Sequence, residues 1–321
     1  MMAMGRYIGV RLLHALVILV LVTMLVFVIA QLIPGDAVMA AMASSIDMSD
    51  SEVVARVRRQ FGLDQSILVQ FGNWLIRYLT GDWGTSIGTG QKVLAMFVQR
   101  LPVTLELFLG ATAWSFVIGI PAGIISALKR SSAVDVAVST GTMIGVSIPS
   151  FWEAIMLIYL LGVVFPILPP SGYVPFAESP VLNLKSMVLP TFVLGTHSAG
   201  LLARYVRSSL LEVLGQDYIR TARAKGLSER AIIALHALKP AMIPVVTVIG
   251  LAWAHMLAGA FFVEVIFAIP GLGRMSVDAI FQKDFPVVQA TLIAVSVNVL
   301  VVNLLVDIVY GYLDPRVRVR Q

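Results

Sequence analysis

Asp217-Tyr-Ile-Arg-Thr-Ala-Arg-Ala-Lys-Gly226-Leu-Ser-Glu-Arg-Ala231 is a short cationic run set between long apolar stretches. Thr221, Ala222 and Ala224 are small, so a groove on another protein could approach the backbone closely. Gly226 can take the left-handed conformation that ends one helix, and Ser228 can cap the next, which opens Glu229-Arg-Ala-Ile-Ile. The expected element is a helix-turn-helix lying along a membrane surface, with Leu227 in the turn and Arg220, Arg223 and Lys225 presented to a soluble partner. Basic residues alone would mark only a loop beside lipid headgroups. The small residues, the glycine and the cap together ask for a docking surface.

Everything around this run belongs in lipid. Hydrophobic residues make up 58% of the 321 residues and charged ones 13%, where soluble domains hold about 45–50% and 25%. So little polar surface could not cover a soluble fold of this length. The net charge of +5 is modest and follows from topology, so no nucleic-acid partner is expected. Without cysteine there is no disulfide framework, thiolate metal site or catalytic thiol.

Six apolar stretches are long enough to span a bilayer, at 11–33, 103–128, 134–165, 187–206, 241–267 and 287–311. The first is too long for the core of a secretory signal and reads as a retained helix. The third carries Pro149 and is expected to kink near Ser147-Ile-Pro-Ser150. The fourth is interrupted by Thr196, His197 and Ser198. Arg6, Arg11, Lys129, Arg130, most basic residues of 204–240 and the arginines of the tail collect on one face of such a topology. That bias places both termini and the 207–240 loop in the cytoplasm. Three parts follow: an N-terminal helix over 1–33, an extracytoplasmic helical loop over 34–100, and a five-helix core over 101–321. In the loop, 51–60 reads as an amphipathic helix. Residues 67–79 read as a second, with Phe71, Trp74, Leu75 and Tyr78 on one face. Trp74, Tyr78 and Trp83 are expected as interfacial anchors.

No Gly-x4-Gly-Lys-Ser/Thr run exists, so the chain has no phosphate-cradling loop of its own. Gly84-Thr-Ser-Ile-Gly-Thr-Gly90 lacks the lysine-hydroxyl ending. The four histidines have no metal-ligand spacing, and no local motif supports catalysis by an intramembrane serine. No enzymatic residue or bound cofactor or metal is expected. An ionisable group at mid-membrane costs roughly 2.5–3.5 kcal/mol, so it usually faces protein or water. On that ground His255, Glu153 and Glu264 are the candidate pathway-lining residues, with a packing or gating role favoured for Glu264. Glu106 and Asp307, near helix ends, are expected to hydrogen-bond locally.

Taken in order, Gln31-Leu-Ile-Pro-Gly-Asp36, Gly81-Asp-Trp-Gly-Thr-Ser86, Arg100-Leu-Pro-Val-Thr-Leu-Glu-Leu107, Ser147-Ile-Pro-Ser-Phe151, Leu168-Pro-Pro-Ser-Gly172, the 217–235 segment and Asp314-Pro-Arg-Val-Arg318 cover nearly the whole chain. Their order and spacing resemble the first permease subunit of the dipeptide/oligopeptide/nickel family of ABC importers. Ala37 departs from the family, which often has proline after Pro-Gly-Asp. The resemblance implies an all-α, six-span, type I ABC importer permease in a bacterial inner membrane. It implies a second homologous permease as heterodimer partner, two ATPase subunits that carry ATP and Mg, and an extracytoplasmic solute-binding protein. It also implies that 217–235, centred on Arg220 to Ser228, is the coupling segment on which the ATPases push. Di- or oligopeptides are the expected cargo. Nickel chelates, glutathione or oligosaccharides remain open on the same architecture, as does a stand-alone secondary carrier.

Overall fold

The computed structural model describes residues 2–32 and 65–313. The expected helix at 51–60, the Pro-Gly-Asp turn, Ala37 and the 314–318 motif lie outside the described residues, as does the side chain of Asp307. The described elements are helices apart from one isolated antiparallel bridge between Thr85 and Lys92. They are α1 (Met2–Leu32), α2 (Ile67–Leu79), α3 (Val93–Leu128), α4 (Ala133–Ser147), α5 (Ser150–Val164) and α6 (Pro180–Leu214). α7 (Asp217–Ala224), α8 (Glu229–Ile266), α9 (Leu272–Phe281) and α10 (Phe285–Leu313) complete the set. Five of them (α1, α3, α6, α8 and α10) are long and apolar enough to cross a membrane, and α4 with α5 makes a sixth if the bent pair is one span. A helix satisfies its own backbone groups, which lipid cannot do.

Two expectations change in detail. Thr196, His197 and Ser198 do not interrupt α6, because the Thr196 hydroxyl donates to the Phe192 carbonyl one turn back at 2.8 Å and Ser198 is buried in protein. The third span is broken rather than kinked, with α4 and α5 meeting at 101°. Ile148 is extended (φ −73°, ψ 126°) because a residue before proline is driven out of the helical region, and Pro149 then starts α5. Proline also explains a π-helical turn over Ile232–Ala237 inside α8: Pro240 has no N–H to give the His236 carbonyl, so the winding loosens just before it.

Packing divides the chain into two compact units. Among the described residues, the larger holds 102–274 with 2–15 and 298–313. Its centre is α6, buried over 72% of its spanning stretch against 33% for α3 and α8. Glycine lets the backbones meet there. A Cβ on Gly119 would lie 2.7 Å from the Ala199 carbonyl oxygen, one on Gly123 2.5 Å from that of Ala203, and one on Gly195 2.7 Å from that of Ala111. These three contacts join α3 to α6, while Gly200 brings α6 equally close to Thr142 of α4. On the far side of α6, Leu194 packs with Met256 and Ala260 of α8.

Among the described residues, the smaller unit holds 16–32, 65–101 and 275–297. Its spine is a run of aromatic rings: Phe27 to Trp74 at 5.5 Å, Trp74 to Tyr78 at 4.5 Å, Tyr78 to Trp83 at 5.4 Å and Trp83 to Phe97 at 5.1 Å. The rings expected to anchor at the membrane interface are therefore half-buried against one another and α1, and Leu68, Ile76 and Leu79 form the exposed face of α2. The Gly84–Gly90 loop closes on a carboxylate. Ser86 donates its hydroxyl to Asp284, which also accepts from the Gly88 N–H at 3.2 Å.

The α3–α6 contact leads to a stability prediction. Gly123→Leu should destabilise the detergent-solubilised chain by about 3 kcal/mol, the upper range for overpacking. Gly141→Leu should have little effect, since nothing lies within 4 Å of a Cβ there. Thermal unfolding followed by tryptophan emission checks this, and equal losses in both would show that the backbone contact is not limiting.

Candidate coupling surface and central cavity

α7 and the start of α8 form the helix-turn-helix that the sequence predicts. Gly226 has φ +81°, and Ser228 accepts a hydrogen bond from the Ala231 N–H at 3.4 Å. Ile219 and Ala222 point into the bundle and pack with Leu210, Ile232, Ala237 and Ala241. Ala222 is thus a seat for α7 and not part of its outer face. Arg223 is also turned to local use. Its Nε lies 2.7 Å from Glu229 Oε1 and its Nη2 3.3 Å from Oε2, tying α7 to α8 across the turn. Arg220 lies 3.5 Å from Asp217 with 74% of its side chain exposed. The outward surface is therefore Arg220, Thr221, Ala224, Lys225 and Leu227, with Tyr218 half exposed beside them.

Sequence reasoning passed over the Asp135 carboxylate. It takes a two-pronged ion pair from Arg207 of α6, Nε to Oδ1 and Nη2 to Oδ2, both at 2.8 Å. It also accepts from the Ser126 hydroxyl and from the Ser131 N–H. One side chain thus gathers the ends of α3, α4 and α6 beside the surface helix-turn. A signal for it existed: Ser132-Ala-Val-Asp135 has the spacing of a helix-capping box, and Ser132 does accept from the Asp135 N–H.

A cavity of about 330 Å³ opens where α4–α5, α6 and α8 meet. Glu153, His197 and His255 line it, with Ser147, Ser150 and Ser198. His197 stands seventeen residues from either end of α6. Ile148 and Pro149 occupy the middle of the α4–α5 pair, and His255 is near the middle of the apolar part of α8. Three apolar stretches thus bring their midpoints to one partly polar space. Glu153 and His255, expected to face a pathway, share this cavity. His197 joins them.

Glu264 is placed elsewhere. It is 0% exposed. Its Oε1 accepts from the Thr104 hydroxyl at 2.7 Å and its Oε2 from the Arg274 N–H at 3.0 Å, while the Leu272 N–H donates to Thr104 at 2.8 Å. A Cβ on Gly271 would meet this carboxyl group at 2.3 Å. The residue organises the Ile269–Arg274 turn and the start of α9 from within, and, though a candidate for lining the pathway, it is absent from the wall of this cavity. Glu106 does not bond locally as expected; it accepts from the Tyr173 hydroxyl at 2.7 Å, a partner 67 residues away in sequence. Burial, and then this carboxylate, push the Tyr173 phenol up to about 12, so it stays a donor at physiological pH.

Among the described residues no three histidine, aspartate or glutamate side chains come together as a metal site. Comparison with known proteins identifies the family. Residues 119–319 match the family of binding-protein-dependent transport system inner membrane components, and residues 4–108 match its N-terminal companion. The chain belongs to this family. A Brucella abortus permease, provisionally named for a peptide transport system, is 42% identical over 308 residues, covering 96% of this chain and 97% of its own. The dipeptide transport system permease protein DppB of Escherichia coli K12 is 40% identical over 320 residues, covering 92% and 94%. Among solved structures, the inward-facing MetNI methionine ABC transporter superposes with a TM-score of 0.55 at 20% identity, over 68% of this permease and 95% of that chain. The last likeness concerns fold alone.

Removing the Glu264 carboxylate should cost the permease about 3 kcal/mol, because two buried donors lose their acceptor. Glu264→Ala and Gly271→Ala should lower the unfolding midpoint alike, one by emptying the turn and one by overfilling it. An unchanged midpoint in either would show that the turn is held by other contacts.

Proposed function

We propose that this permease imports short peptides, as one half of a heterodimeric pathway driven by two ATPase subunits and supplied by an extracytoplasmic binding protein. The observation that carries the peptide reading is the similarity to the dipeptide transport permease over 92% of this chain and 94% of the other. ATP and Mg belong to the ATPase subunits. Both termini and the α7–α8 turn face the cytoplasm in this reading, supported by the basic residues gathered on that side.

The α7–α8 segment, Arg220 to Ser228 within 217–235, is the coupling element. Its small outer residues admit a close approach, its Leu227 and Tyr218 offer apolar contact, and its inner face is bolted to the bundle through Ile219, Ala222 and Ile232. A push on α7 is therefore delivered to α6 and α8 as rigid-body motion, the kind that alternates a pathway between its two faces. Nickel chelates, glutathione and oligosaccharides are the competing cargoes, distinguished by uptake rather than by architecture.

Co-purification in mild detergent, followed by labelled-dipeptide uptake into proteoliposomes, tests the whole reading. A second permease, P-loop ATPases and ATP-dependent dipeptide uptake are expected; a chain that purifies alone and transports without ATP would replace it with a secondary carrier. The coupling role has its own test at Gly226. Open space surrounds a Cβ there, yet φ is +81°, so a β-branched residue is strained by roughly 1–2 kcal/mol without any clash. Gly226→Val should abolish uptake while the protein still inserts and ATP hydrolysis continues. Gly226→Asn, which tolerates the left-handed region, should retain transport.

A further inference from the structure

We propose that the cavity where α4–α5, α6 and α8 meet holds the free ammonium end of a short peptide in transit, with Glu153 as its counter-charge. The inference rests on the peptide reading above. A carboxylate at the bilayer centre is expensive unless water or a cation reaches it. No lysine or arginine lines the cavity around Glu153; its other ionisable groups are the two imidazoles, His197 and His255. The space therefore holds one carboxylate beside two imidazoles and no lysine or arginine, a setting in which an incoming amine can serve as the carboxylate's counter-ion.

The remaining walls suit the rest of a peptide. At about 330 Å³ the cavity falls in the roughly 300–1,000 Å³ range of small-molecule sites. The break at Ile148-Pro149 starts α5 at the cavity edge with no side chain capping its first N–H groups, so donors for a peptide carbonyl or carboxylate stand one helical turn from Glu153. Val193, Leu194, Met256 and Val263 supply an apolar wall for side chains without choosing among them. A site that reads the amine and tolerates the side chain is what a pathway fed by many different peptides requires. It needs no tight binding, since the solute must also leave.

The test uses the complete reconstituted importer and reports dipeptide uptake per ATP hydrolysed. Glu153→Gln keeps the shape and removes the charge. It should lower that ratio about tenfold, the value of one charge-assisted hydrogen bond, while binding-protein-stimulated ATP hydrolysis stays at the wild-type rate. Glu153→Asp should restore most of the ratio. Wild-type stoichiometry in Glu153→Gln would overturn the proposal. So would a parallel loss of uptake and ATP hydrolysis in both variants, which would assign Glu153 to packing at the start of α5. A wild-type importer that takes a nickel chelate or an oligosaccharide but no dipeptide would sink the peptide reading first and this inference with it, before any variant is made.

Discussion

The backbone-to-backbone contact of α3 with α6 is the constraint on which the larger unit depends. In lipid, association gains nothing from hiding apolar surface, because the surrounding tails are as apolar as the side chains. What remains is close packing, and close packing needs helices without Cβ atoms at the crossing. Gly119, Gly123 and Gly195 provide that, with carbonyl oxygens of the opposite helix lying where side chains would begin. Once α6 is fixed on α3, its other faces receive α4 through Gly200 and α8 through Leu194. α6 then becomes a buried hub that carries both a cavity residue, His197, and the Arg207 that grips Asp135.

This hub explains how a surface event could reach the interior. α7 is short, and its hold on the bundle is apolar: Ile219 and Ala222 sit in a cluster shared by α3, α6 and α8. The Arg223–Glu229 pair is exposed and closes the turn locally, so it defines the shape offered to a partner more than it supports the fold. The Asp135–Arg207 pair is different in kind, because its carboxylate is nearly buried and satisfied by five donors. The buried pair ties α4 to α6 beside the α7–α8 turn. The cavity end is built oppositely, with a helix break, uncapped N–H groups and an unbalanced carboxylate.

Much was legible in the chain before any coordinates. Apolar length gave the spans to within about ten residues at each end. The left-handed glycine and the serine cap placed the α7–α8 turn, and both hold as written. Helix α2 begins and ends at Ile67 and Leu79, as its aromatic spacing indicates. These features share a physical basis: each is decided by residues within a turn or two of one another, or by the bulk preference of a segment for lipid.

Other features needed the tertiary structure because they are set by residues far apart in sequence. Ala222 and Thr221 are adjacent and similarly small, and only the packing of α7 decides that one is a seat and the other a surface. Glu264 and Glu153 are both intramembrane carboxylates, yet one is enclosed by Thr104 and the Arg274 backbone while the other opens onto a cavity. Pro149 announced a disturbance, but its size depended on what α6 and α8 allowed beside it. Local sequence thus determined which segments are helical, where they turn and that they lie in a membrane. The fold decided which polar groups meet, because a buried charge takes its role from its partners, and those partners come from other helices.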